Sequence, residues 1–204
     1  MFFTIEEEKL EEEIVEKKSK FIGTLFYITS EEQAQEIIKK VKKQYYDARH
    51  NCFAYRVMTE NGVVERFSDD GEPSGTAGKP ILNLIEVSNL NNIVIFVIRY
   101  FGGTLLGTGR LLRTYAASAK KVIDESKLVE VEECNKVTLE CSYDIYDEVS
   151  YYLKNMHFTI IKINFNDNII IEFFEPLDFK ENLEERFYPK VKVLNKEKTS
   201  RIKE

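Results

Sequence analysis

The spacing of apolar and polar residues predicts strands and helices that alternate along the first part of the chain. An apolar run at 21–28 is rich in strand formers and predicts a strand. Ser30 follows with a glutamine three positions later, the pattern that caps the start of a helix. Two further strand-like runs, 51–57 and 63–67, flank Asn61–Gly62, and such a pair predicts a hairpin. The chain therefore begins with a β-α-β-β order.

The register of this hairpin brings distant segments together. If Asn61 and Gly62 are the two turn residues, Tyr55 faces Ser68 across the hairpin. Continuing outward, His50 then approaches the segment 68–73. Two stretches that are far apart in sequence are therefore expected to meet at one end of the sheet.

A buried strand and two helices complete this part of the chain. Pro80 suits the first position of a helix, and apolar residues follow it at helical spacing. The run 93–98 is apolar without alternation, which indicates a central strand covered on both faces. A glycine-rich segment then leads, at Arg110, into a helix with one apolar face.

The second part of the chain shows a different order of elements. The pattern around 129–135 turns acidic and loses its glycines, which suggests a domain boundary. We therefore expect an N-terminal domain over 1–130 and a C-terminal domain over 135–204. The elements predicted beyond the boundary are a strand at 137–141, a helix at 144–155, strands at 158–165 and 168–174, a helix at 178–187 and a strand at 190–194. This β-α-β-β-α-β order is that of a ferredoxin-like module, and the whole chain is predicted to be α+β.

Composition narrows the function classes. The chain has 204 residues and a formal net charge of −6, which argues against a protein that coats nucleic acid through its global charge. A net charge of −6 still allows one local groove of basic residues that could bind nucleic acid. No apolar run reaches the roughly 20 residues of a membrane span, the start lacks the features of an export signal, and the 3 cysteines are an odd number. We expect a cytoplasmic protein with reduced thiols.

The glycine-rich segment 102–110 is the first candidate site. A glycine turn between a buried strand and a helix lets backbone N–H groups approach an anion at the positive end of the helix. The segment is neither a Walker loop nor a complete dinucleotide fingerprint, so we expect no cofactor. The alternative is a tight turn beside solvated arginines. The candidate anion ligands are Arg99, Gly102, Gly103, Gly107, Gly109, Arg110, Arg113 and, from the neighbouring loop, Lys79.

A second candidate site is polar and lies on the loop 69–79. Asp69, Asp70 and Glu72 could hold a divalent cation, but three carboxylates would repel a bare phosphate, each by about 1 kcal/mol at about 4 Å in water. His50, brought near by the hairpin, could form an acid–base pair with Asp70 or Glu72. The alternative is a set of structural turns and a histidine bonded to a loop carbonyl, and we predict no metal site.

Three segments in order resemble the Impact/YigZ family. They read ARHNCFAY at 48–55, FSDDGEPSGTAGKP at 67–80 and RYFGGTLLGTG at 99–109. The family usually has Gly-Leu where this chain has Arg110 and Leu111, which adds charge beside the glycine loop. The resemblance implies an N-terminal domain of the ribosomal-protein-like type seen in elongation factor G, followed by a ferredoxin-like domain.

The resemblance also implies a link to translation. Eukaryotic relatives restrain a stress-activated kinase of the initiation pathway, and bacterial relatives are described as nucleic-acid or ribosome binders. Our first hypothesis is therefore a non-enzymatic regulator of translation that binds RNA, the ribosome or a translation-related protein. One alternative is an enzyme acting on a small phosphorylated substrate or nucleotide, with His50 and Asp70 as acid–base pair and Lys79 on the phosphate. The other is a module for protein interaction only.

Overall fold

The computed structural model describes residues 2–6, 9–59 and 62–203, which form two compact units. The first unit is Phe2–Glu130 and the second starts at Val131. The strands are β1 (Phe2–Ile5), β2 (Lys9–Glu16), β3 (Ser19–Tyr27), β4 (His50–Thr59), β5 (Gly62–Ser68), β6 (Ile93–Tyr100), β7 (Leu128–Cys141), β8 (Thr159–Phe165), β9 (Ile169–Pro176) and β10 (Val191–Ile202). The helices are α1 (Glu31–Gln44), α2 (Gly78–Val87), α3 (Thr108–Asp124), α4 (Tyr146–Asn155) and α5 (Leu183–Arg186). The predicted α+β class is confirmed.

The first unit is built on an antiparallel sheet with the strand order β2-β3-β6-β4-β5. One face of this sheet packs against α2 and α3, and the other packs against α1. The central strand β6 is buried on both faces from Ile93 to Arg99, which explains why its sequence is apolar without alternation. The first unit thus has a sheet between two helical layers, and β6 runs through its centre.

The start of α1 agrees with the predicted cap. Ser30 has an extended backbone, and its hydroxyl accepts a hydrogen bond from the N–H of Gln33. The amide oxygen of Gln33 reaches back and accepts from the N–H of Thr29 at 2.7 Å. These reciprocal bonds satisfy N–H groups that a helix start otherwise leaves without partners.

The hairpin of β4 and β5 forms, but the predicted register is wrong. Phe53, not Tyr55, lies opposite Ser68, because Thr59 pairs with Gly62. Asn61, predicted as a turn residue, lies outside the described residues. The predicted meeting of segments is nevertheless confirmed, since His50 Nδ1 lies 2.9 Å from the carbonyl oxygen of Asp70.

The second unit has the strand order of a ferredoxin-like module. β7 lies between β10 and β9, and β8 pairs with the far edge of β9, all antiparallel. Numbered within the unit, this is the order 4-1-3-2 that a split β-α-β fold requires, so the predicted topology is confirmed. An apolar core fills the space between the sheet and its helices.

Three element boundaries in the second unit differ from the prediction. β7 begins at Leu128, so the acidic stretch placed at the domain boundary is part of a strand. The last strand, β10, continues to Ile202, well beyond the predicted end at 194. The helix predicted at 178–187 is reduced to α5, because Asn182 caps the N–H groups of Glu184 and Glu185 and starts the helix there.

In the part of the chain that the structure describes, no helix is both long and apolar enough to cross a membrane.

Candidate functional site

Both glycine-containing loops lie at one end of the first sheet. Arg99 near the end of β6 pairs with Phe21 near the start of β3 on one side and with His50 at the start of β4 on the other. The loop 101–107 leaves β6 at this end and leads into α3, and the loop 69–77 leaves β5 at the same end and leads into α2. We call this region the loop end of the sheet, and all the candidate residues lie on it or in the first two turns of the two helices.

Asp69 fills the anion position at the start of α2. Its Oδ1 accepts hydrogen bonds from the N–H groups of Ala77 and Gly78 at 3.0 and 2.8 Å, and its Oδ2 accepts from Gly75 at 2.8 Å. A carboxylate at this position satisfies the free N–H groups of the helix and its positive dipole end. Gly78 approaches the backbone of Ser68 so closely that an added Cβ would lie 2.7 Å from its carbonyl oxygen. Asp69 thus acts as an internal anion for α2.

Asp70 links the loop to β4 and α1. Its Oδ2 accepts from the N–H of Asn51 at 2.6 Å, and its Oδ1 accepts from Lys42 Nζ at 2.7 Å. Its backbone carbonyl contacts His50 Nδ1 at 2.9 Å. Because a carbonyl oxygen only accepts, His50 Nδ1 is the donor in this contact. The carboxylate of Asp70 is therefore engaged away from the histidine.

Glu72 is the centre of a buried polar cluster. Its Oε1 accepts a hydrogen bond from Arg99 Nη1 at 2.6 Å and another from the hydroxyl of Tyr115 at 2.8 Å. His50 Nε2 lies 3.7 Å from the same oxygen. The side chains of Arg99 and Glu72 are only 6% and 3% exposed. We call Glu72, Arg99, Tyr115 and His50 the Glu72 cluster.

Arg99 is held from several sides. Its guanidinium lies over the rings of Phe21 and Phe101, with centroids at 5.4 and 5.5 Å. Nη2 is 3.5 Å from the hydroxyl of Ser19. Nε is buried and has no hydrogen-bond partner among the described residues. Arg99, predicted as an anion ligand, therefore directs its charge to Glu72 inside the protein.

Cys52 lies beneath this cluster as a structural thiol. Its Sγ is 3.0 Å from the carbonyl oxygen of Asp69 and 3.4 Å from the hydroxyl oxygen of Tyr115. Burial raises the pKa of the Cys52 thiol well above its usual range, and nearby Glu72 adds to the shift. Burial likewise raises the pKa of the Tyr115 hydroxyl. Both groups are neutral at pH 7, so neither is an activated nucleophile.

The loop into α3 differs from the loop into α2. Gly102 packs against the turn between β2 and β3, where an added Cβ would lie 2.0 Å from the carbonyl carbon of Lys18. Its N–H donates to the hydroxyl of Ser19 at 3.1 Å. Gly103 and Gly107 have positive φ angles of 85° and 75°. Gly107 is the N-cap of α3 and has no side chain to cap it, and Gly109 lies in the first turn.

The remaining cationic candidates are exposed or partly exposed. Arg110 Nη1 donates to Glu16 at 3.2 Å. Arg113 is exposed and has no ion pair with any residue that the structure describes. Lys79 lies on α2, 3.9 Å from Glu86 and over the ring of Phe67. Arg110 and Arg113 line an open groove of about 400 Å³ beside β2, together with Ile14, Val15, Glu16, Thr114 and Ala117.

Sequence reasoning missed several basic and aromatic residues of the loop end. Lys17 and Lys18 form the exposed turn between β2 and β3, which packs against Gly102. Tyr46 and Arg49 are exposed on the segment that leads from α1 into β4, and Tyr46 is 84% exposed. The turn at Lys17 and Lys18 was not predicted, because it contains none of the residues that usually mark a hairpin turn.

A metal site is not apparent in the described ranges. Within residues 2–6, 9–59 and 62–203, no three histidine, cysteine or carboxylate side chains are grouped so that they could hold an ion. The three carboxylates of the loop 69–79 point to different partners, which explains why they form no such group.

Comparisons with known proteins place these features in a family. The profile of the Impact N-terminal domain matches residues 17–123. The chain belongs to the IMPACT family. The IMPACT family member YvyE of Bacillus subtilis (strain 168) is 37% identical over 171 residues, which cover 84% of this chain and 78% of that protein. The IMPACT family member YigZ of Escherichia coli (strain K12) is 37% identical over 128 residues, or 62% of this chain and 63% of that one.

The similarity to a solved structure extends over both units. A crystal structure described as that of a hypothetical protein matches with a TM-score of 0.65 and 27% identity, covering 94% of this chain and 95% of that one. The part of the chain matched by the IMPACT domain profile includes both loops, the Glu72 cluster and the turn at Lys17 and Lys18. The features at the loop end therefore lie within the domain that defines the IMPACT family.

Proposed function

We propose that this IMPACT-family protein is a non-enzymatic, cytoplasmic regulator of translation that binds RNA, including ribosomal RNA, through the loop end of its first sheet. The link to translation comes from the family resemblance. The observation that carries the binding mode is the collection of exposed cations and aromatic rings at this end, opposed by few free carboxylates.

The cations come from three different elements. Lys17 and Lys18 are exposed in the β2–β3 turn, Arg113 on α3, and Arg49 just before β4. None of the four has an ion pair within the described part of the chain. Phosphate contacts by such side chains displace counterions and supply sequence-independent affinity.

Exposed rings lie among these cations. Phe101 is 47% exposed at the start of the glycine loop, and Tyr46 projects from the end of α1. Single-stranded RNA is bound by grooves that combine cations with aromatic side chains on which unpaired bases stack, each stack contributing about 1–3 kcal/mol. A surface of lysine, arginine, phenylalanine and tyrosine fits this mode of recognition.

The acidic loop does not oppose RNA as its sequence suggested. Asp69 is bound to three backbone N–H groups, Asp70 to Asn51 and Lys42, and Glu72 to Arg99 and Tyr115. Each carboxylate is engaged by hydrogen-bond donors inside the first unit. These internal contacts support a surface on which the unpaired lysines and arginines attract an anion.

The geometry favours binding over phosphoryl chemistry. In the enzyme hypothesis, His50 and Asp70 formed an acid–base pair, but the contact between them uses the backbone carbonyl of Asp70. Lys79, the hypothetical phosphate ligand, is directed toward Glu86 and the ring of Phe67. The α2 helix start that would receive a phosphate is filled by Asp69. Because the α2 start is occupied by Asp69, the α3 start and its cations are better suited than the α2 start to bind a polyanion.

The test is charge reversal on the loop end. The variant Lys17→Glu/Lys18→Glu/Arg49→Glu should lose co-sedimentation with ribosomes and bind single-stranded ribosomal RNA at least about tenfold more weakly. The slope of log affinity against log salt should become shallower by about two, since each lost phosphate contact removes about 0.7 from it. The matched control is Lys162→Glu/Lys192→Glu/Lys198→Glu, which reverses three exposed lysines of the second unit.

Three results would contradict the proposal. Equal binding and salt dependence in both triple variants would remove the loop end as the RNA surface. Ribosome binding that survives nuclease treatment would point to a protein contact instead. Stabilisation by millimolar ATP with magnesium, read as a shift in melting temperature, would favour the enzyme alternative.

A further inference from the structure

β2 is an edge strand, and the backbone groups on its outer side have no strand partner among the described residues. β2 is the first strand in the order β2-β3-β6-β4-β5, and no described strand pairs with its other side. Glu16 pairs with Ser19, and Lys17 and Lys18 between them both have positive φ angles, of 44° and 67°. Such a two-residue turn is closed by a hydrogen-bonded pair.

The alternation of an antiparallel ladder then fixes the direction of each backbone group. If Glu16 and Ser19 form a hydrogen-bonded pair, Val15 and Glu13 belong to the pairs whose N–H and C=O groups point away from β3. An independent contact supports this assignment. The carbonyl oxygen of Glu13 accepts a hydrogen bond from Lys121 Nζ on α3 at 3.1 Å, so it faces the outer side. Val15 therefore presents its N–H and C=O outward.

The groove beside β2 runs along this backbone edge. Its strand wall consists of three consecutive residues, Ile14, Val15 and Glu16. Side chains of consecutive strand residues point to opposite faces of the sheet. Because all three of these consecutive residues line the same groove, we infer that the groove follows the backbone edge of β2. The opposite wall is one face of α3, formed by positions 110, 113, 114 and 117 at helical spacing. A strand edge and a helix thus form the two walls of this open slot of about 400 Å³.

We propose that β2 and α3 form a strand-addition site for an extended, carboxylate-bearing segment of a protein partner. The segment would pair with Val15 through main-chain hydrogen bonds and place alternate side chains against α3. Val15, which is 64% exposed, and Ala117 supply apolar contact. The charge of the slot selects the partner: Arg113 has no ion pair in the described ranges, and Arg110 shares its charge only with the half-exposed Glu16. Carboxylates at alternate positions of the segment complement these two guanidinium groups.

This site shares Arg113 with the RNA surface proposed above, but its other determinants differ. It depends on the backbone of β2 and on the groove face of α3, whereas the RNA test changes Lys17, Lys18 and Arg49. Each surface can therefore be removed without the other.

The decisive variant is Val15→Pro in the full chain. Proline removes the outward N–H while leaving the β2–β3 hydrogen bonds intact, as edge strands allow. The control Val15→Thr keeps the N–H and the branched shape. The probe is a displayed library of random peptides, followed by fluorescence anisotropy with the selected synthetic peptides. We expect enrichment of strand-forming peptides with Asp or Glu at every second position, bound at least about tenfold more weakly by Val15→Pro than by Val15→Thr.

Two further variants keep the test valid if the proline variant does not fold. Ala117→Phe fills the slot from the exposed face of α3 and should abolish peptide binding. Arg113→Glu should reverse the selection, so that lysine-bearing peptides are enriched. The triple variant at Lys17, Lys18 and Arg49 should retain the selected peptides.

Several outcomes would overturn the proposal. These are a library that yields no peptides, peptides that bind Ala117→Phe as well as the unaltered chain, and selected peptides without acidic positions. Self-association of the chain that is lost in Val15→Pro, measured by analytical ultracentrifugation, would make a second copy the occupant. Loss of RNA binding in Ala117→Phe would show that the slot belongs to the RNA surface.

Discussion

Glu72 holds the charge of Arg99 inside the first unit, with Oε1 and Nη1 at 2.6 Å and both side chains almost fully buried. Tyr115 donates to the same oxygen, so one carboxylate atom joins the loop 69–77, the end of β6 and the middle of α3. The pair fixes the two loops of the candidate site relative to each other. Its main role is therefore to shape the loop end.

Removing one partner of this pair should destabilise the protein strongly. Glu72→Ala leaves the Arg99 guanidinium buried without its counterion, and we expect a loss of about 3–5 kcal/mol in the free energy of unfolding, measured with urea. The control Glu16→Ala breaks the partly exposed pair with Arg110 and should cost less than about 1 kcal/mol. Equal costs for the two variants would contradict a structural role for the buried pair.

The carboxylate of Asp69 should be worth more to stability than an ordinary surface acid. Asp69→Ala leaves the N–H groups of Gly75, Ala77 and Gly78 without their acceptor, and we expect a loss of about 2 kcal/mol or more. Urea unfolding provides the measurement. Asp124→Ala is the matched control, because Asp124 forms an exposed ion pair with Lys120, and its expected cost is within about 0.5 kcal/mol.

Replacing two glycines of the same loop region by alanine should change the stability of the protein in opposite directions. Gly102→Ala would drive a Cβ into the backbone at Lys18, so the glycine loop or the β2–β3 turn must move. We expect a lower melting temperature, faster proteolysis of the loop and weaker RNA binding. In Gly109→Ala the new Cβ meets only the tip of Arg113 at 3.9 Å, and the gain in helix propensity should stabilise α3 by about 0.5–1 kcal/mol. A neutral Gly102→Ala would mean that the close packing of the two loops is dispensable.

Cys52 should make stability fall at alkaline pH. Burial raises its pKa in the folded state, whereas the unfolded thiol ionises near about 8.5. The unfolded chain therefore loses a proton that the folded chain keeps, and this contribution to stability is complete below about pH 8 and declines above it, by at most about 1.4 kcal/mol per pH unit. Urea midpoints between pH 7 and 10 should fall more steeply for the unaltered protein than for Cys52→Ala. Parallel curves would contradict a buried, protonated thiol.

The sequence was informative where local pattern decides the structure. The unbroken apolar run predicted β6 as a doubly covered strand, and the capping pattern at Ser30 predicted the start of α1. The order of elements predicted the ferredoxin-like second unit, because strand and helix periods differ clearly there. These features depend on residues close in sequence, and the structure agrees with each of them.

What escaped prediction depends on partners far apart in the chain. The sequence placed Arg99 among the anion ligands because nothing in its neighbours shows that Glu72 would reach it. It likewise could not assign Asp69 to the start of α2, since that requires the loop to fold back on itself. The β2–β3 turn was missed because two lysines with positive φ are uncommon and carry no turn signal. The candidate anion ligands that remain exposed are still predictions.

The two helix starts at the loop end differ in whether the protein itself supplies an anion to the free N–H groups of the helix. α2 carries its own anion, Asp69, as part of the chain, at an effective concentration that no dissolved phosphate can match. α3 has Gly107 as its N-cap, and its first turn contains no acidic residue. If the proposed RNA surface binds as expected, the N–H groups at the start of α3 face the RNA, whereas those at the start of α2 are already bonded to Asp69.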